Sequence, residues 1–224
     1  MRVQRLRAVD PAAMFHQRVH MRPLRRQCRG VAAGLRHSPG IAQEAMEETV
    51  VQGFGKTVLV TGGARSGKSR HAQALAEAAG GHTLVYIATA QAFDGEMTER
   101  IARHRSERDE RWRTVEAPLA LAAAIVEADA PDGVILVDCL TLWASNLMLT
   151  EADADTAIAA LLDAIGRIEG RLVLVTNEVG MGIVPDNAMA RRFRDLAGML
   201  NQRVAAAVET VDLAVSGLTI RMKG

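Results

Sequence analysis

The stretch GGARSGKS occupies positions 62–69 and follows the apolar run Val58–Val60 after a single threonine. It matches the pattern G-x-x-x-x-G-K-[ST], in which glycines let successive backbone N–H groups point at phosphate oxygens. A helix starting at the end of such a loop adds the positive end of its dipole. Because an apolar run precedes the stretch and a helical pattern follows it, a plain glycine turn is the weaker interpretation. We predict a phosphate loop that binds a nucleoside triphosphate, with Lys68 at the β- and γ-phosphates and Ser69 at Mg²⁺.

Apolar runs alternate with amphipathic stretches downstream of this loop. Further runs lie at Thr83–Ala88, Val134–Val137, Leu172–Val175, Leu213–Val215 and Leu218–Met222, and helical stretches at His71–Ala79, Glu96–Arg108, Ala154–Ile168 and Ala188–Val208. Continuous apolar runs are typical of strands buried on both faces, and their alternation with helices predicts a mostly parallel sheet. Only Ser216 and Gly217 separate the last two runs, which predicts an antiparallel hairpin. The predicted fold of residues 56–224 is therefore α/β, a RecA-like P-loop NTPase with helices on both sheet faces and an antiparallel C-terminal edge hairpin.

The first 55 residues have a different composition. Positions 1–40 hold nine arginines against the single acid Asp10, so the formal net charge of +1 for the chain hides a basic start and a net acidic remainder. Apolar periodicity is poor in this segment. Three interpretations stay open: a disordered basic arm, an arginine-rich transit-like peptide, or translation from upstream of a true start at Met46.

Composition excludes several functional classes. Aromatic residues make up only 3% of the chain, which argues against a surface that stacks nucleic-acid bases, and we expect no nucleic-acid partner. No apolar run approaches the roughly 18 residues that a membrane span needs. The two cysteines, Cys28 and Cys139, have neither metal-ligand spacing nor a disulfide pattern. A reducing compartment, the cytoplasm, is the expected location.

Two acids follow predicted strands. Asp138 ends the run Val134–Val137, and Glu178 follows the run Leu172–Val175. In open parallel sheets, ligands bind outside the carboxyl ends of the strands, so Asp138 could hold Mg²⁺ directly or through water. Its alternative role is the N-cap of the next helix. Glu178 is a candidate base or water-positioning group, and its alternative role is to stabilise its own turn.

One histidine lies among arginines on a predicted helix. Asp94 is a plausible N-cap, and helical spacing places Arg100, His104 and Arg108 on one stripe. Two nearby cations disfavour the imidazolium form, so His104 is expected to be neutral. A neutral imidazole can act as a nucleophile on a phosphate that the arginines bind. The alternative interpretation is a solvated helix residue.

Several strings along the chain are specific enough to identify a family. They are TGGARSGKSRHA at positions 61–72, YIAT at 86–89, His104, WRT at 112–114 and Glu116, followed by VLVTNEVGMGIVP at 173–185, FRDLAG at 193–198 and NQR at 201–203. In these strings the sequence closely resembles the bifunctional adenosylcobinamide kinase / adenosylcobinamide-phosphate guanylyltransferase family. The resemblance covers about Val58 to Lys223. The string 176–185 together with the His104 helix makes the resemblance specific, because a phosphate loop alone identifies no family.

The resemblance implies two reactions. The first transfers a γ-phosphate from ATP or GTP to adenosylcobinamide, and the second transfers GMP from GTP to adenosylcobinamide phosphate, giving adenosylcobinamide-GDP for cobalamin. It also implies that His104 carries GMP covalently, that Mg²⁺ binds at Ser69 and Asp138, and that the protein is a homo-oligomer, a trimer. The nucleotide contacts that it implies are Gly62, Gly63, Ala64, Arg65, Ser66, Gly67, Lys68, Ser69, Ala88, Thr89, Ala90, Arg105, Ser106, Glu107, Arg108, Glu116 and Asp138.

Two features depart from the family. Residues 1–55 have no counterpart in it, and Asp138 holds a position that is often Glu. Two alternative functions are a P-loop kinase for another small alcohol, without histidine chemistry, and a nucleic-acid-dependent ATPase that uses the basic arm. The low aromatic content and the confinement of basic charge to the first 40 residues argue against the second alternative.

Overall fold

Seven strands form one sheet in the computed structural model, which describes residues 55–91 and 109–224. The strands are β1 Thr57–Gly62, β2 Thr83–Ala88, β3 Trp112–Glu116, β4 Gly133–Asp138, β5 Arg171–Asn177, β6 Thr210–Val215 and β7 Leu218–Lys223. Their order is β3-β2-β4-β5-β1-β6-β7. All neighbouring strands are parallel except β6 and β7, which are antiparallel.

The helices of the described residues pack on both faces of this sheet. They are α1 Lys68–Ala78, α2 Leu121–Ala128, α3 Leu140–Leu149, α4 Ala154–Arg167 and α5 Ala188–Ala207. Val58 and Val60 of β1 pack against Ala72 and Leu75 of α1. Leu59, which points the opposite way, belongs to a second core with residues of α2 to α5. Because side chains alternate across a strand, continuous apolar runs supply both cores at once.

The predicted fold class is confirmed. The mostly parallel sheet, the helices on both faces and the antiparallel C-terminal pair are all present. The turn at Ser216 and Gly217 joins β6 to β7, as the two-residue spacing predicts. Helix α1 begins at Lys68, three residues earlier than predicted, because the phosphate loop leads straight into it.

Three elements were not predicted. Strand β3 has the burial pattern of an edge strand, with two exposed and two half-buried residues after Trp112. Its sequence therefore lacks the continuous apolar run of the central strands. Helices α2 and α3 were missed because their sequences, LAAAIVEA and LTLWASNLML, have almost no polar face that would reveal helical periodicity.

The predicted helix at 96–108 and the basic segment lie outside the described residues. Within residues 55–91 and 109–224, the structure contains no helix that is both long and apolar enough to cross a membrane.

Candidate active site

The carboxyl ends of the parallel strands bring predicted site residues to one edge of the sheet. Ala88 at the end of β2 pairs with Glu116 of β3 on one side and with Asp138 of β4 on the other. On the next strands, Gly62 of β1 pairs with Asn177 of β5. The phosphate loop, Asp138 and Glu116 therefore share an edge, which is where open parallel sheets bind ligands.

The phosphate loop folds by local constraints of its own. Gly67 adopts the left-handed conformation (φ 95°) as the N-cap residue of α1, and Arg65 is also left-handed (φ 55°). The Ser66 N–H donates to the Gly63 carbonyl at 3.3 Å. Residues 63–65 are exposed, so this part of the loop is open to a ligand.

Lys68 is the first residue of α1 and is buried. Its Nζ donates to the Gly63 carbonyl at 3.2 Å, so the ammonium group lies within the curve of the loop. Only 7% of this residue is exposed. A buried cation beside open backbone amides provides the charge and geometry that bind the phosphates of a triphosphate.

The ends of β2 and β4 are joined through one threonine. The Thr89 hydroxyl donates to the Cys139 carbonyl at 2.7 Å and accepts from the Cys139 N–H at 2.9 Å. Asn146 of α3 in turn donates to the Thr89 carbonyl at 2.8 Å. Thr89 is fully buried. Its hydroxyl therefore fixes the backbone after Asp138. The sequence did not predict this role, because Thr89 stood out only as part of the YIAT string.

Asp138 is half-buried at the end of β4. The interpretation of Asp138 as a helix N-cap is wrong, because Cys139 occupies the N-cap position of α3. Ser69 is half-buried in the first turn of α1. A hydroxyl and a carboxylate are oxygen ligands of the kind that Mg²⁺ prefers, and Mg²⁺ usually completes its coordination with phosphate oxygens and water. In the described part of the chain, no three His, Cys, Asp or Glu side chains cluster as a metal site.

Glu178 lies against the start of the phosphate loop. Its backbone N–H donates to the Gly62 carbonyl at 3.1 Å. Its Oε1 accepts from the Gly180 N–H at 2.5 Å, so one carboxylate oxygen stabilises the turn that follows β5. The turn-stabilising role is thus observed, and the role as a base stays a prediction.

A chain of polar side chains, buried at Thr141 and Thr176 and half-buried at Asn201, holds the strand end that precedes this turn. The Thr176 hydroxyl donates to Asn201 Oδ1 at 2.7 Å, and Asn201 Nδ2 donates to the Asn177 carbonyl at 3.1 Å. The Asn177 N–H donates to the Thr141 hydroxyl at 2.6 Å. These residues tie the end of β5 to α3 and α5. Sequence reasoning missed Thr141, because no local pattern indicates a partner 36 residues away.

Other predicted contacts divide between the described and undescribed parts of the chain. Glu116 is exposed at the end of β3, and Ala90 is half-buried just after β2. His104 and the contacts at 105–108 lie outside the described residues.

Comparisons with known proteins give matches of one description over the part of the chain that contains the candidate site. The family model described as cobinamide kinase / cobinamide phosphate guanyltransferase matches residues 58–222. A bifunctional adenosylcobalamin biosynthesis protein CobP from Pseudomonas aeruginosa is 49% identical over 168 residues, covering 74% of this chain and 96% of that relative. CobU proteins of the same description from Salmonella typhimurium and Escherichia coli are 46% and 44% identical over 181 residues, each covering 74% of this chain and 99% of the relative.

The thiol of Cys139 is expected to resist alkylation in the folded protein. Burial raises its pKa to about 12, and the neighbouring Asp138 carboxylate adds to this effect. The thiolate is the reactive form, and at four pH units below the pKa only about one thiol in ten thousand is ionised. Iodoacetamide at pH 8, followed by peptide mass spectrometry, should find Cys139 unmodified in buffer and modified in 8 M urea. Rapid modification in buffer would contradict the burial of this group.

Proposed function

The chain belongs to the cobinamide kinase / cobinamide phosphate guanyltransferase family, and on that premise we propose that it catalyses two consecutive reactions on one corrinoid substrate. It phosphorylates adenosylcobinamide with ATP or GTP, and then transfers GMP from GTP to give adenosylcobinamide-GDP in the assembly of the cobalamin nucleotide loop. One observation carries the proposal: the family match spans residues 58–222, which include the phosphate loop, His104, Glu116 and Asp138.

In the kinase step, the hydroxyl of the aminopropanol group attacks the γ-phosphorus. The new O–P bond forms as the bond from the γ-phosphorus to the β–γ bridging oxygen breaks, the nucleoside diphosphate leaves, and the hydroxyl proton is released. The amides of the phosphate loop and the buried Lys68 bind the triphosphate during this transfer. Mg²⁺, bound at Ser69 and Asp138, would neutralise part of the phosphate charge.

In the guanylyl step, a ring nitrogen of His104 attacks the α-phosphorus of GTP. A P–N bond forms, the bond to the α–β bridging oxygen breaks, and pyrophosphate leaves on the opposite side. The imidazole then loses its remaining ring proton. Adenosylcobinamide phosphate attacks the same phosphorus, the P–N bond breaks, and the histidine takes back a proton. Arg105 and Arg108 supply cations for the phosphates.

Replacing His104 by alanine should abolish covalent GMP labelling. With [α-³²P]GTP and Mg²⁺, wild-type protein should carry acid-labile label after denaturation, because P–N bonds hydrolyse in acid. His104→Ala should carry none, yet bind GTP with unchanged affinity. His82→Ala is the matched control, since His82 is an exposed histidine just before β2, at the edge of the sheet opposite the site.

Two outcomes would contradict the histidine mechanism. One is full labelling of His104→Ala. The other is the absence of label on wild-type protein under conditions where it consumes adenosylcobinamide phosphate. Consumption of adenosylcobinamide phosphate without label would leave the family assignment intact. A P-loop kinase that acts on another alcohol would neither carry label nor consume adenosylcobinamide phosphate.

Replacing Lys68 by alanine should impair both activities. The ammonium group is buried within the loop, so its loss removes a charge-assisted contact to the phosphates, and kcat/KM should fall about ten- to a hundredfold in each reaction. Lys56→Ala is the control, because Lys56 precedes β1 at the opposite edge of the sheet and its Nζ donates to the Ile168 carbonyl. Unchanged rates in both assays of Lys68→Ala would show that the phosphate loop is wrongly assigned.

The remaining proposals concern the whole chain. We assign residues 56–224 to the catalytic domain and treat residues 1–55 as dispensable for it. We propose a homo-oligomer, a trimer, in the cytoplasm. The outward side chains of β7 support self-association, because Leu218, Ile220 and Met222 are 72%, 60% and 62% exposed. Exposed apolar patches of this kind are typical of protein–protein contacts. The free thiol of Cys139 and the nucleotide substrates are consistent with the cytoplasm.

Removing residues 1–45, so that the chain begins at Met46, should leave both activities within about twofold of the full-length values. Sedimentation equilibrium should give the same number of chains per particle for both proteins, because the apolar strand β7 is untouched. Loss of activity in the shortened protein would contradict the domain assignment, and a monomer in both proteins would contradict the proposed oligomer.

A further inference from the structure

The phosphate loop packs against the turn of the C-terminal hairpin. The Gly217 N–H donates to the Ser66 carbonyl at 2.9 Å. A Cβ added to Gly67 would lie 3.3 Å from the Gly217 Cα, and a Cβ added to Gly62 would collide with the Ala214 carbonyl. The loop and the hairpin therefore touch backbone to backbone, without side chains between them.

The turn itself has a defined conformation. Both of its central residues have positive φ, 54° at Ser216 and 83° at Gly217. Two left-handed residues in a two-residue connection are the signature of a type I′ turn, which matches the twist of the flanking strands. The strands therefore fix the direction of the Gly217 N–H, and with it the position of its acceptor in the loop.

A chain of three polar side chains, buried at His71 and Asp212 and partly exposed at Arg221, makes a second connection between the hairpin and the loop. His71, one turn into α1, has its Nε2 2.9 Å from Asp212 Oδ2 on β6. Arg221 on β7 donates through Nε to the other oxygen, Asp212 Oδ1, at 3.0 Å. His71 and Asp212 are 4% and 3% exposed. Helix α1, which starts at Lys68, is thus tied to both strands of the hairpin.

The carboxylate of Asp212 depends on these partners. Burial is the largest single influence and raises its pKa, but the hydrogen bonds and the electrostatic attraction of His71 and Arg221 together outweigh it, so the pKa lies below its ordinary value. Asp212 is therefore ionised at neutral pH. A buried carboxylate that lost Arg221 would need another partner or water, at a substantial cost in free energy.

We propose that the β6–β7 hairpin positions the phosphate loop for triphosphate binding, and that Asp212 and Arg221 are positioning residues for this purpose. In this role both residues act through the loop and not on the triphosphate itself. They hold α1 against β6 and β7, and the turn at Gly217 then fixes the loop at Ser66. This inference rests on the proposed binding of a triphosphate by residues 62–69. The C-terminal strands, which the sequence predicts only as an edge hairpin, thereby have a role in binding the triphosphate.

A purely structural role would produce a different result. If the chain His71–Asp212–Arg221 only stabilised the fold, its loss would lower the melting temperature and leave the GTP affinity of the folded protein unchanged. A positioning role predicts weaker binding of GTP well below the melting temperature, because the loop amides and Lys68 would no longer be preorganised. The dissociation constant of GTP, measured at low temperature, separates the two.

The test compares Arg221→Met, Arg221→Lys and Arg167→Met with wild type. Methionine keeps the apolar stem of Arg221 and removes its guanidinium, whereas lysine keeps the charge. The control breaks another Arg–Asp pair, between Arg167 and Asp163 at 2.8 Å on α4, far along the chain from the loop. Each protein also carries His104→Ala, so that GTP binds without transferring GMP. Calorimetric titration with GTP and Mg²⁺ should then give a dissociation constant about tenfold higher for Arg221→Met, a smaller rise for Arg221→Lys, and less than about twofold for the control.

Each outcome decides a separate question. Wild-type protein that binds no GTP would remove the proposed function itself. Wild-type affinity in folded Arg221→Met, with or without a lower melting temperature, would overturn the positioning role. If Arg221→Met does not fold, Arg221→Gln, which keeps one N–H donor, is judged by the same criterion. Weaker binding by Arg221→Met with recovery in Arg221→Lys supports the inference.

Discussion

The parallel hydrogen-bond ladder that joins β3, β2, β4, β5 and β1 positions the described residues of the candidate site at one edge of the sheet. It sets Ala88 opposite Asp138, Asp138 opposite Val175, and Gly62 opposite Asn177. Parallel pairing turns the carboxyl ends of these strands to one edge, so segments far apart in sequence meet there. A slip of one residue in any pair would turn every side chain of that strand to the opposite face and move Asp138 away from the phosphate loop.

That edge needs side-chain hydrogen bonds, because the backbone leaves the regular ladder there while still buried. Orphaned N–H and C=O groups in the interior are costly, so each must find a partner. Thr89 serves both backbone groups of Cys139, and Thr141 and Asn201 serve those of Asn177. These threonines and asparagines at the carboxyl edge are thus a consequence of the fold, and they hold the segments that we propose to contact the nucleotide.

The parts of the structure that could be predicted are those that local sequence determines. The phosphate loop depends on glycines and a lysine within eight positions, and the central strands depend on apolar runs. The pairing of His71 with Asp212 could not be predicted, since 141 positions separate them and neither has a local pattern. The edge strand β3 and the apolar helices α2 and α3 were not predicted for a different reason. Their local sequence patterns do not distinguish strand, helix and loop.

A single phosphate loop can serve both proposed reactions because their leaving groups share one feature. In the kinase step, the bond that breaks leaves its charge on an oxygen of the β-phosphate. In the guanylyl step, the departing pyrophosphate also takes its new charge on an oxygen of the β-phosphate. Under the proposed function, the loop amides and Lys68, whose Nζ lies within the loop, would contact that phosphate, so the same donors would stabilise both transition states. What differs between the two proposed reactions is the nucleophile and the phosphorus that it attacks: the corrinoid hydroxyl attacks the γ-phosphorus, and His104 attacks the α-phosphorus.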